Sequence, residues 1–99
     1  MRIDEEHKKD IVRLAHQVMG GDCRVRVFGS RLDDAARGGD LDLMVECPDA
    51  VENPALLAAQ LSAKVSRLFH GRNVDVLISA PNLRRLPIYE VALREGQLL

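Results

Sequence analysis

The sequence is poor in aromatic residues and contains no long hydrophobic run. Its 99 residues include two phenylalanines, one tyrosine and no tryptophan. The core must therefore be built mainly from leucine, valine, isoleucine and alanine, in a chain long enough for one small domain. No apolar stretch approaches the roughly 20 residues needed to cross a bilayer, and the charged amino terminus does not resemble a secretory signal. We therefore expect a single domain over residues 1–99 that makes no contact with a membrane.

The sequence also contains few cysteines and has almost no net charge. Cys23 and Cys47 have neither the spacing of zinc ligands nor a dense disulfide pattern, which favours a reducing cytoplasm and a structural role for both thiols. The net charge of −1 provides no general attraction for nucleic acid. Nucleic acid is therefore not an expected partner, and any phosphate binding must depend on local groups.

Hydrophobic spacing predicts three helices and three strands in the order α-β-β-α-β-α. Apolar residues recur with helical period over 4–19, from Pro54 to the stop at Gly71, and from Pro87 until Gly96. Asp4 and Asn53 are typical N-caps, and the glycines are typical helix stops. Alternating apolar and polar residues predict strands over 24–28, 40–46 and 73–79.

The strand residues divide into two faces, since successive side chains point to opposite sides of a strand. One face is apolar and should be covered by helices, whereas the other is mostly polar and should stay open. The short connection between strands 1 and 2 favours an antiparallel pair. The helix-containing connection between strands 2 and 3 favours a parallel pair. The prediction is a two-layer α/β (α+β) domain with a three-stranded mixed sheet of order 1-2-3 and helices on one face. The polar face comprises Arg24, Arg26, Asp40, Asp42, Met44, Asp75 and Leu77.

Three carboxylates converge at one end of this polar face. Asp40 and Asp42 begin strand 2, and Asp75 lies near the start of strand 3. Three neighbouring aspartates repel one another, so they either retain protons or hold a divalent cation. Hard oxygen ligands with open positions suit Mg²⁺. Taken alone, each aspartate is more typical of a solvated strand face.

A glycine-serine turn falls at the same end of the sheet. Gly29 lets a phosphate approach the backbone, and Ser30 offers a hydroxyl and N–H groups to an anion. Arg31 and Arg37 flank this segment and can neutralise phosphate charge. A Gly-Ser pair alone is common, so the interpretation as a phosphate site depends on its combination with the aspartates.

Residues 28–43, FGSRLDDAARGGDLDL, resemble the hGS…(D/E)xD signature of the DNA polymerase β-type nucleotidyltransferase superfamily, and especially its minimal nucleotidyltransferases. Residues 74–77 resemble the strand that bears the family's third carboxylate, and 87–96 resemble its final helix. The resemblance implies that Gly29 and Ser30 hold a triphosphate and that Asp40 and Asp42 bind Mg²⁺. It also implies that Asp75 completes the metal site and activates an acceptor hydroxyl.

The same resemblance implies a reaction and a partner. Members transfer a nucleoside monophosphate, here AMP from ATP, to a hydroxyl of a protein or small molecule. Many minimal members are encoded beside a helical HEPN-type protein, and in some of these toxin–antitoxin pairs the antitoxin adenylylates a tyrosine of the toxin. The alternatives are a non-catalytic antitoxin subunit that only binds its partner or nucleotide, and an aminoglycoside-modifying transferase. The sequence also leaves open whether the chain forms a homo-oligomer.

Three further residues of interest lie outside the motif. Arg24 and Arg26 share the carboxylate face, where they can pair with the aspartates, bind phosphate or form strand-surface ion pairs. Tyr89 is expected to pack with its hydroxyl exposed.

Overall fold

Three helices and four strands form the described part of the chain, which is residues 3–28 and 41–99 of a computed structural model. All six predicted elements are present close to their predicted ends, and a short fourth strand is additional. In chain order the elements are α1 (Glu5–Met19), β1 (Arg24–Phe28), β2 (Leu41–Glu46), α2 (Pro54–Leu68), β3 (Val74–Ser79), α3 (Pro87–Glu95) and β4 (Gln97–Leu98).

The helix ends follow the capping residues, with one difference. The Asp4 carboxylate accepts a hydrogen bond of 2.7 Å from the backbone N–H of His7, as expected for an N-cap. Asn53 is the N-cap residue before Pro54, as predicted, but its backbone is left-handed (φ 55°) and its side chain makes no cap hydrogen bond. None of the helices in the described ranges has the length and apolar character needed to span a membrane.

The sheet has the order β3-β2-β1-β4. β1 and β2 are antiparallel, and β2 and β3 are parallel, so the predicted order 1-2-3 and both strand directions are confirmed. β4 adds an antiparallel strand to the outer edge of β1. Its two residues are too few to show an alternating pattern, which is why the sequence predicted three strands only.

The main core lies between one face of the sheet and helices α1 and α2. Its central strand residues, Leu41, Leu43 and Val45, are fully buried, and they pack in one cluster with Ile11 of α1 and Leu61 of α2. Burying an aliphatic side chain of this kind contributes about 1.5–3 kcal/mol. The predicted apolar face is therefore the face that the first two helices cover.

The opposite face of the sheet is covered in part by α3. A second buried cluster joins Phe28 and Met44 of the sheet to Tyr89 and Ala92 of α3, with Leu77 packed against it. The prediction that this face stays open, with all helices on the other side, is therefore wrong for α3. The physical reason is that Phe28, Met44 and Leu77 form an apolar strip within an otherwise polar face, and α3 buries it.

Tyr89 anchors α3 to the sheet through its hydroxyl, which donates a buried hydrogen bond of 2.9 Å to the Ile78 carbonyl oxygen. The expectation of an exposed hydroxyl is therefore wrong. We expect Tyr89→Phe to lower the melting temperature by about 4–8 °C, because a lost net hydrogen bond costs about 1 kcal/mol in a domain of this size. Thermal unfolding followed by circular dichroism measures the change. A melting temperature equal to that of the wild type would show that this bond does not stabilise α3.

Candidate active site

Two of the predicted carboxylates lie side by side on neighbouring strands. Asp42 of β2 and Asp75 of β3 are direct partners in the parallel register. Neighbouring strands lie about 4.8 Å apart, and paired residues project to the same face. Asp42 is half-buried and Asp75 is exposed. Asp42 and Asp75, called the acid pair below, therefore face solvent at the edge where β2 and β3 begin.

The end of β1 closes one side of the acid pair. Phe28 is the last residue of β1 and lies opposite Asp42 in the antiparallel register. Met44 follows Asp42 on the same face and is fully buried beneath α3. The acid pair is thus bounded on one side by an apolar cluster, which limits the approach of water to Asp42 from that direction.

The remaining predicted site residues lie outside the described ranges. These are Gly29, Ser30, Arg31, Arg37 and Asp40. Their roles in binding a triphosphate and Mg²⁺ therefore stay predictions. The described residues do show that the chain leaves β1 at Phe28 and enters β2 at Leu41 on the same edge of the sheet, beside Asp42.

The donor set of the acid pair fits Mg²⁺. Like charges on directly paired strand positions repel each other, and a divalent cation removes this repulsion. Two carboxylates with an open, solvent-facing side match the preference of Mg²⁺ for few protein ligands together with water and phosphate oxygens. Within residues 3–28 and 41–99, no cluster of three or more His, Cys, Asp or Glu is arranged to hold a metal. The predicted third carboxylate, Asp40, lies outside these ranges.

Among the described residues, the ion-pair partner of Arg26 is a glutamate of β2. Its Nε lies 2.6 Å from Oε1 of Glu46, at the other end of β2 from Asp42. Both side chains are largely shielded from solvent, with exposures of 20% and 29%. Arg26 therefore forms the strand-surface ion pair that was one of its predicted alternatives.

Comparison with known proteins bears on the fold. No protein-family model matches the sequence, and no curated protein matches it significantly. The crystal structure of the toxin–antitoxin MntA-HepT contains a similar chain, with a TM-score of 0.69 over 96% of this chain and 70% of that chain, at 16% sequence identity. The chain has the nucleotidyltransferase fold. At this identity the likeness concerns the fold alone.

Two serines of α2 hold the start of β3 within this nucleotidyltransferase fold. Ser62 Oγ donates a hydrogen bond of 2.5 Å to the Val74 carbonyl oxygen, directly before Asp75. Ser66 Oγ donates one of 2.7 Å to the Arg72 carbonyl oxygen. Both serines line a groove of about 360 Å³ that also includes Asp75. These bonds fix the backbone that leads into Asp75. Neither serine was predicted to lie at the site, although a serine pair at i and i+4 on one helix face was the available signal.

Proposed function

We propose that the protein is a Mg²⁺-dependent nucleotidyltransferase that moves AMP from ATP to a hydroxyl group, and that it serves as the antitoxin of a two-component pair. The single observation that most supports this proposal is the direct pairing of Asp42 with Asp75 at the edge of the sheet where β1 ends. The nucleotidyltransferase fold supports it independently of those two residues.

The acid pair has two roles in the proposed transfer, which are metal binding and removal of the acceptor's proton. The acceptor hydroxyl oxygen attacks the α-phosphorus of ATP, the bond to the bridging oxygen of the β-phosphate breaks, and pyrophosphate leaves. Asp75 accepts the hydroxyl proton, because its exposed position lets an acceptor reach it. Asp42 and Asp75, together with the predicted Asp40, would hold Mg²⁺, which when bound neutralises charge on the triphosphate oxygens. The predicted Gly29 and Ser30 hold the triphosphate, and Arg31 and Arg37 neutralise its remaining charge.

The acceptor is proposed to lie on a helical HEPN-type partner protein. A solved structure with a similar fold is that of a toxin–antitoxin complex, MntA-HepT, which supports a toxin as the partner of this chain too. The resemblance of residues 28–43 to the minimal nucleotidyltransferases implies a tyrosine hydroxyl as the acceptor.

Transfer of a labelled nucleotide tests the proposed activity. The protein is incubated with the product of its neighbouring gene, Mg²⁺ and ATP labelled at the α-phosphate. We expect label on the neighbour and release of pyrophosphate, and neither when Mg²⁺ is chelated. Asp75→Asn should lower the rate about 100-fold or more, since it removes a general base. Absence of label and pyrophosphate with every ribonucleoside triphosphate would contradict the proposal.

A non-catalytic antitoxin is the second candidate, and the toxin–antitoxin complex among the solved structures favours it equally. The Asp42→Asn/Asp75→Asn double variant separates the two functions when it is produced together with the toxin. If the double variant still binds the toxin but no longer neutralises it, neutralisation requires transfer. If the double variant still neutralises the toxin completely, binding alone is sufficient. Nucleotidyl transfer is then not required for neutralisation.

A further inference from the structure

The two cysteines lie in direct contact, although they are 24 residues apart in the sequence. The Sγ atoms of Cys23 and Cys47 are 2.9 Å apart, with the Cys23 thiol donating to Cys47. Both thiols are free, and Cys23 is buried whereas Cys47 is half-buried. Two thiols in contact have a chemistry that neither has alone, since together they can form a disulfide.

The strand register places both cysteines where a bridge fits. Arg24 and Glu46 are partners in the antiparallel pair of β1 and β2, and the next residues outward are Cys23 and Cys47. Directly opposed residues of such a pair have Cα atoms about 4.5–5.5 Å apart. Disulfides span Cα separations of about 4.4–6.8 Å. Closing the bond therefore needs only a small movement of the two side chains.

We propose that Cys23 and Cys47 form a reversible disulfide, closed by exchange with a small-molecule disulfide, which ties together the open end of the β1–β2 hairpin. This inference is independent of the proposed nucleotidyl transfer, because the two thiols lie at the end of the hairpin remote from Asp42.

The exchange proceeds in two balanced steps. The Cys47 thiolate attacks one sulfur of the small disulfide, whose S–S bond breaks and releases one thiolate. The Cys23 thiolate then attacks the Cys47 sulfur of this mixed disulfide, which forms the internal S–S bond and releases the second thiolate. The small disulfide takes up the two electrons, and the two cysteine protons pass to solvent.

Access and protonation set the order and the rate of these steps. A recess of about 110 Å³ opens onto both cysteines and is lined by Asp22 and Asp49 among others. His16, the titratable group facing Cys23 from α1, lies with its Nε2 3.0 Å from the Cys23 carbonyl oxygen. Burial, and then the hydrogen bond from Cys23, raise the pKa of Cys47 from 9.0 to about 12. Because only the thiolate attacks, closure should be slow at neutral pH and faster as the pH rises.

Oxidation with glutathione disulfide tests the proposal. The reduced wild-type protein is incubated with this oxidant at about pH 8.5, and its intact mass, free thiols and melting temperature are measured. We expect a monomer lighter by two hydrogen atoms, with no free thiol and a melting temperature higher by about 10–20 °C, since the bridge restricts a loop of this length in the unfolded chain. Dithiothreitol should reverse all three changes.

Cys23→Ser and Cys47→Ser are the matched controls, because each keeps the fold's shape and removes one partner. Under the same oxidant, Cys23→Ser should stop at a glutathione adduct on Cys47 and show no comparable rise in melting temperature. An adduct that persists on the wild type, a disulfide-linked dimer, or an internal bridge without any rise in melting temperature would overturn the proposal.

Discussion

Replacement of Asp42 by asparagine is expected to lower nucleotidyl transfer about 1,000-fold while the fold stays intact. A carboxylate that binds a metal contributes several kcal/mol of charge stabilisation in the transition state, which corresponds to a factor of this order. Asparagine has nearly the same shape as aspartate, and position 42 lies on the solvent-facing side of the sheet, so the main core is unchanged. The measurement is pyrophosphate release at saturating ATP and Mg²⁺, together with the melting temperature of each protein.

Glu46→Gln is the matched control for this experiment. Glu46 lies on the same strand and the same face as Asp42, but it pairs with Arg26 at the far end of β2. Glu46→Gln should leave the rate of transfer within about twofold of the wild-type rate, because charges remote from the reacting atoms contribute little. If Asp42→Asn and Glu46→Gln lowered the rate of transfer equally, the overall negative charge of this face would be responsible. The assignment of Asp42 as a metal ligand would then fail.

Ligand-induced stabilisation gives a second, independent test of the same variant. At about 100 times the dissociation constant, a ligand that binds only the folded state stabilises it by about 2.7 kcal/mol. The wild type should therefore melt at a higher temperature with Mg²⁺ and ATP than without them. Asp42→Asn should lose most of this shift, whereas an undiminished shift would place the metal elsewhere.

The position of the acid pair could be predicted because two simple signals agree. Strand alternation puts Asp42 and Asp75 on one face, and the helical crossover makes β2 and β3 parallel. Both signals act over short stretches of sequence, and the observed register pairs these two residues directly. The roles of Gly29, Ser30, Arg31, Arg37 and Asp40 stay predictions, since these residues lie outside the described ranges.

The features that the sequence did not predict depend on contacts between distant segments. The packing of α3 on the polar face follows from Phe28, Met44 and Leu77, which are apolar positions in three different strands that become contiguous only in the sheet. The contact of Cys23 with Cys47 likewise arises only when β1 and β2 pair. Neither contact produces a repeating pattern of apolar residues in the sequence, so neither could be predicted from the spacing of residues along the chain.

Among the substitutions, the largest loss of stability is expected from Gly96→Ala, which should lower the melting temperature by about 10 °C or more. A Cβ atom at this position would overlap the carbonyl oxygen of Ala92 and lie 3.2 Å from that of Val27. Both are backbone atoms, so no side chain can rotate away. The φ angle of −76° is ordinary, which means that space rather than conformation requires glycine here. Overpacking of this kind costs about 1–3 kcal/mol or more.

Gly21→Ala controls for the general effect of replacing glycine. Apart from the adjoining residues, no described atom lies within 4 Å of a Cβ at position 21. This variant should therefore melt within about 2 °C of the wild type. Because Gly96 joins α3 to β4 beside β1, the shift forced by alanine should also loosen the α3 cluster around Phe28, the residue opposite Asp42. Transfer by Gly96→Ala should therefore fall at temperatures well below its melting point. Similar melting temperatures for the two variants would show that α3 docks without the close approach at Gly96.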